Sequence, residues 1–133
     1  MFSKGLELPK LIKAPITREQ LKLYAEASGD HNPIHLDEAV AKKSGLPGVI
    51  AHGMMTMAFM GEFLHQTIHA LSGGRGKVTE MSCRFKAMTF PGDVITVCGV
   101  VKNVQDGLVE CDLETRNQKD EVTTTGHASI KIS

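Results

Sequence analysis

The stretch from Met54 to Leu64 limits most strongly what this chain can fold into. Its first turns carry Met54, Met55, Met57, Ala58, Phe59 and Met60, with only Thr56 polar. A helix through them is apolar on every side, so other parts of the protein have to surround it. The stretch is too short to cross a bilayer, which takes about 20 apolar residues, and Glu62 interrupts it. Further on, Glu62, His65, Gln66 and His69 fall at i, i+3, i+4 and i+7 and form a polar face. Gly73-Gly74-Arg75-Gly76 then stops the pattern. The residues predict one long helix from His52-Gly53 to about Leu71, enclosed at its start and wet at its end.

What encloses it follows in the chain, where the period changes to two. Met81, Cys83 and Phe85 face one way while Glu80, Ser82, Arg84 and Lys86 face the other. Pro91-Gly92-Asp93 turns into a β-branched run from Val94 to Val101, and Asp106-Gly107 is a hairpin signal. Val109, Cys111, Leu113 and Thr115 alternate with charged residues. After a turn at Asn117 to Asp120, the inward set is Val122, Thr124, Gly126, Ala128, Ile130 and Ile132. The short connections make these four strands antiparallel. The expected class is α+β: a curved antiparallel sheet wrapped around one long helix. Such an open sheet leaves edges and part of the helix bare, and a homodimer covers both.

Composition narrows the function classes. The 133 residues and 14.4 kDa suit a single domain over residues 1–133. Fifteen basic and fifteen acidic side chains cancel, so no basic excess points to nucleic acid. Aromatics are 5% with no Trp, too few for a base-stacking platform. Lys4, Glu7, Lys10 and Lys13 leave no apolar signal-peptide core in the first residues. Cys83, Cys98 and Cys111 are an odd, widely spaced set that reads as small buried hydrophobes, not as a disulfide framework or a zinc site. The expectation is a soluble protein of a reducing, cytoplasmic compartment, away from membranes.

Upstream of the long helix, Thr17-Arg18-Glu19-Gln20 fits a capping box. Leu21, Tyr24, Ala25 and Ser28 continue at helical spacing up to Gly29. Asp37 to Lys43 predicts a short helix, closed by Ser44-Gly45. Between the two lies Asp30-His31-Asn32-Pro33-Ile34-His35, where Pro33 forbids a regular helix. A carboxylate, an amide and two imidazoles thus share one short irregular loop. Three readings are open: a turn in which Asp30 and Asn32 only cap the backbone; a metal site from His31, His35 and His52; or an Asp30–His35 pair moving protons on a bound substrate.

Gly29-Asp30-His31-Asn32-Pro33-Ile34-His35 resembles the signature of the MaoC-like hydratases, the (R)-specific enoyl-CoA hydratase group. Ile50-Ala51-His52-Gly53-Met54 resembles the family's second landmark, the entrance of its central helix, and the likeness runs from about Leu21 to Ile132. The resemblance implies a hot-dog fold. It implies reversible hydration of trans-2-enoyl thioesters to (R)-3-hydroxyacyl thioesters, with no metal and no cofactor beyond coenzyme A or acyl carrier protein as substrate carrier. The family's catalytic Asp falls on Asp30, its His on His35, and the amide that meets the thioester oxygen on Gly53. Asn32 matches the signature's supporting amide. The residues that line the family's acyl pocket vary, so matching gives Met54 and Met57 no role; they read as core, or as the wall of an acyl tunnel beside the site, and His52 reads as a helix-start support or a substrate contact.

Elsewhere, His65, His69 and His127 read as solvated. Lys42, Lys43, Arg75, Lys77, Arg84 and Lys86 read as a solvated face, or as contacts to the phosphates of coenzyme A or to an acidic carrier protein. Two other functions remain open: a hot-dog thioesterase that would cleave the thioester, and a non-catalytic, acyl-thioester-binding partner subunit.

Overall fold

The computed structural model describes residues 1–133. In chain order the elements are β1 (Leu11–Ile12), α1 (Arg18–Ser28), a one-turn 3₁₀ helix (Pro33–His35), α2 (Glu38–Lys43), α3 (Gly53–Ser72), β2 (Gly76–Phe85), β3 (Thr96–Gln105), β4 (Leu108–Arg116) and β5 (Val122–Ile132). The strands form one sheet in the order β1-β3-β4-β5-β2, antiparallel at every pairing. The sheet curls around α3, which gives the α+β hot-dog fold.

The caps that the residues announce set the helix ends. Thr17 Oγ1 accepts the Gln20 N–H while the Gln20 side chain returns to Thr17 N–H, so α1 starts on a full capping box. Asp37 Oδ1 accepts the N–H groups of Ala39 and Val40, so α2 begins one residue later than the sequence pattern suggests. Helix α3 runs for 20 residues and closes on left-handed Gly73.

Met55, Phe59, Met60, Phe63, Leu64 and Ile68 bury the inner face of α3. They meet Val97, Val101, Val109, Cys111, Leu113, Ala128 and Ile130 from the sheet. Each Val, Leu, Ile, Phe or Met among them stabilises the fold by about 1.5–3 kcal/mol. The sheet approaches the helix most closely at glycines. A Cβ on Gly99 would lie 3.0 Å from Phe63, one on Gly126 would lie 3.0 Å from Met60 Sδ, and one on Gly76 would lie 3.3 Å from Ile68. Three strands therefore give up a side chain where a large helix residue needs the room.

Four expectations need correction. The start of α3 is not enclosed: Gly53, Met54 and Ala58 are exposed and Met57 is half-buried. The reason is that the sheet curls around one side of the helix only. Phe85 is not buried with Met81 and Cys83; it is 50% exposed, because β2 ends there and its ring lies over Gly53 at the open start of α3, beside the cavity that His52 and Thr56 also line. The third strand begins at Thr96 rather than Val94 and continues past Val101 through a second shift, to Gln105. A fifth strand, β1, pairs Leu11 and Ile12 with Val97 and Thr96. Two residues are too few to show a period. No helix is long and apolar enough to cross a membrane.

Candidate active site

The loop after α1 is built from short side-chain-to-backbone bonds. Gly29 ends α1 at φ 79°, a left-handed value that costs glycine nothing. Ser28 Oγ then accepts the Asp30 N–H, and Asp30 Oδ1 accepts the Asn32 N–H. Asn32 Oδ1 accepts the Ile34 N–H and starts the 3₁₀ turn, whose first residue is Pro33. Asp30 and Asn32 thus do cap the backbone. For Asn32 this occupies the side-chain oxygen. Asp30 keeps its second oxygen free, and Oδ2 lies 4.0 Å from His35 Nε2.

His35 is fixed from the other side. Its Nδ1 lies 2.7 Å from the Ile50 carbonyl oxygen. A carbonyl only accepts, so Nδ1 carries the proton, and neutral His35 presents a bare lone pair at Nε2. The His35 side chain is 9% exposed and that of Asp30 is 53% exposed, so a buried base faces a half-wet carboxylate. Across 4.0 Å there is no direct hydrogen bond, which would span about 2.7–3.2 Å. Two acceptors at that separation suit one water, which has two O–H groups to give.

His52 closes the back of the site. It is the N-cap residue of α3 but makes no side-chain cap bond. Its Nε2 lies 3.0 Å from the Asp30 carbonyl oxygen. Its ring stacks on that of His35, with centroids 3.8 Å apart and planes 22° apart, and the Tyr24 ring lies tilted against it at 4.8 Å. The next residue, Gly53, opens the helix with an N–H that no protein group accepts. The positive end of a 20-residue helix is concentrated there.

Of the sequence candidates, the structure brings Asp30, His35, His52 and Gly53 together. Met54 is 56% exposed on the outer side of the helix and Met57 is half-buried beside it. His31 stands out in solvent. The grouping able to hold a cation is Asp30, His35 and His52, with one donor atom from each within 4.8 Å of the others. His31, the candidate from sequence spacing, is not in it. A cavity of about 350 Å³ adjoins His52 and Gly53 and runs past Thr56, Phe85, Met88 and Thr124. Asp30 and His35 do not line it; Asp30 reaches solvent while His35 is buried. A larger groove, about 620 Å³, lies elsewhere and shares no residue with the site.

Sequence reasoning missed the Ile50 carbonyl, Tyr24 and the pair Thr56 and Thr124. The last two were visible as polar residues at inward positions of a helix and a strand. The Ile50 carbonyl left no signal, since any residue supplies one.

The model of MaoC-like domains matches residues 7–123, most of the chain. This chain belongs to the MaoC-like domain family. The MaoC-like chain is 32% identical over 120 residues to the fatty acid synthase beta subunit TOXC of Cochliobolus carbonum, covering 90% of this chain and 5% of that protein. It is 54% identical over 43 residues to 3-hydroxyacyl-thioester dehydratase X of Mycobacterium tuberculosis, 32% of this chain and 15% of that one. It spans a small part of the length of these curated relatives. The (R)-hydratase from A. caviae overlays it with a TM-score of 0.88 at 24% identity, covering 99% of this chain and 98% of the other. At that identity the likeness speaks for the fold alone.

Proposed function

We propose that this MaoC-like chain is a hydro-lyase that reversibly hydrates trans-2-enoyl thioesters to (R)-3-hydroxyacyl thioesters. The observation that carries this reading is the pair of acceptors, Asp30 Oδ2 and His35 Nε2, 4.0 Å apart beside the start of α3. The substrate water donates one O–H to each and turns its lone pair toward the β-carbon. The imidazole takes the proton that the water releases, and the pair returns a proton to the α-carbon. A positioned proton transfer of this kind contributes about 10²–10⁴-fold. Charge builds on the thioester oxygen at the same time, and the free Gly53 amide meets it; one such donor contributes about 10²–10³-fold. Water is added or removed and nothing is oxidised, so the reaction asks for no cofactor. The carrier is coenzyme A or an acyl carrier protein.

Related proteins whose names include a thioester dehydratase and fatty acid synthase subunits support this class. The bare flank of α3 supports a homodimer, in which a second copy covers it. Three free thiols accord with a reducing, cytoplasmic setting.

The test follows the purified chain with crotonyl-CoA, reading the conjugated absorbance and free thiol in parallel. The expected result is loss of the double bond with no thiol released, and an (R)-hydroxy product. Release of thiol with the double bond intact would make this a thioesterase instead.

A further inference from the structure

We propose that His52 is a positioning residue that ties the Asp30–His35 pair to the amide end of α3. The proposal rests on the hydratase reading above and gives a further residue its role. His52 is 2% exposed, and its ring contacts both the Asp30 backbone and the His35 ring. Nε2 donates to the main-chain carbonyl of Asp30 at 3.0 Å. The ring face lies on the ring of His35 at 3.8 Å. The peptide bond after His52 leads directly to the Gly53 amide. One buried side chain therefore sets the distances among the carboxylate, the base and the donor for the oxyanion. Tyr24, on α1, packs a tilted ring against that of His52 at 4.8 Å.

The tautomer follows from the partners. The Asp30 carbonyl only accepts, so Nε2 carries the hydrogen and neutral His52 leaves a lone pair on Nδ1. That atom is buried and has no hydrogen-bond partner. Buried polar atoms are nearly always paired, and an unpaired one weakens the fold. A phenylalanine would fill the same space and stack on His35 without that defect. What histidine supplies there and phenylalanine does not is the Nε2–H, the grip on the Asp30 backbone. Neither nitrogen is open to a substrate, so His52 acts through its neighbours.

The experiment compares His52→Phe and His52→Gln with the wild type, reading thermal stability, kcat and KM for crotonyl-CoA hydration, with Asp30→Asn alongside. Phe keeps the ring and loses the donor. Gln places an N–H where Nε2 stood. Small displacements of reacting groups cost about 10²-fold, so His52→Phe is expected to lose about that much in kcat, with KM within about threefold and a melting temperature no lower than wild type. His52→Gln is expected to recover kcat to within about tenfold of wild type. Should His52→Phe fail to fold, ring-nitrogen NMR of the wild type at pH 8 decides: the Nε2–H tautomer supports the proposal and the Nδ1–H tautomer overturns it. Unchanged kcat in His52→Phe, with Asp30→Asn inactive, overturns the positioning role and leaves the hydratase reading standing. A wild-type chain that does not hydrate overturns both.

Discussion

Two backbone carbonyls decide the protonation pattern of the site. Ile50 takes the Nδ1 hydrogen of His35, and Asp30 takes the Nε2 hydrogen of His52. The chemistry of the proposed base thus depends on an atom that any residue at position 50 supplies, provided the backbone holds its course. That course is fixed by Ile50 N–H donating to Ile34 O and Ala51 N–H donating to Thr89 O. Residue types marked Asp30 and His35 as one of three readings of a polar loop, and the resemblance to the MaoC-like hydratases is what singled out the two of them together with Gly53. The Ile50 carbonyl was not legible, since main-chain acceptors have no letter. The grouping of Asp30, His35 and His52 also invites a metal test. Dialysis against a strong chelator is expected to leave the hydration rate unchanged, and a loss restored by a divalent cation would assign the three residues to that ion instead.

At the scale of elements, the caps made α1 and α3 legible almost to the residue, whereas β1 was invisible because two residues show no period. Alternation assigned Phe85 its side of the sheet but not its exposure, which depends on the strand ending at the open start of α3. Gly99 carries an expectation that the packing makes specific. A Cβ there would lie 2.8 Å from Leu113 and 3.0 Å from Phe63, inside the core between β3, β4 and α3. Overpacking of that kind costs about 1–3 kcal/mol, so Gly99→Ala should lower stability by that amount in urea unfolding. Glu38 links three segments: it pairs with Arg18 of α1 at 2.7 Å and accepts the Val49 N–H at 3.2 Å. The Val49 hydrogen bond first, and then Arg18, hold its carboxyl below the usual range. A lowered carboxylate stabilises the fold above its unfolded value and loses that contribution as the pH falls through its folded value. Glu38→Gln should therefore melt earlier than wild type at pH 7, and the gap should narrow as the pH drops below about 4.3.

Taken whole, the molecule is a sheet that covers one side of its central helix. Gly53, Met54 and Ala58 face outward on α3, and β2 leaves a 10-residue edge unpaired. Exposed edges of this length invite pairing. Light scattering is expected to give twice the chain mass, and Ala58→Glu to shift it toward the single chain. On the covered side, burial pushes the Cys111 thiol up to about 11. The thiolate is the reactive form, so it is scarce at pH 8. Cys111 should resist alkylation in the native protein at that pH and react once the chain is unfolded; fast native labelling would show that the sheet opens there.

The most direct test of the central claim is a double-mutant cycle on hydration of crotonyl-CoA. It takes kcat/KM for wild type, Asp30→Asn, His35→Ala and the double variant. If one water is held between the two side chains, each single change should cost about 10²–10⁴-fold. The double should then be little worse than either single, as for groups that act as a unit. Two losses that simply multiply, or a single variant that keeps full activity, would contradict a shared water.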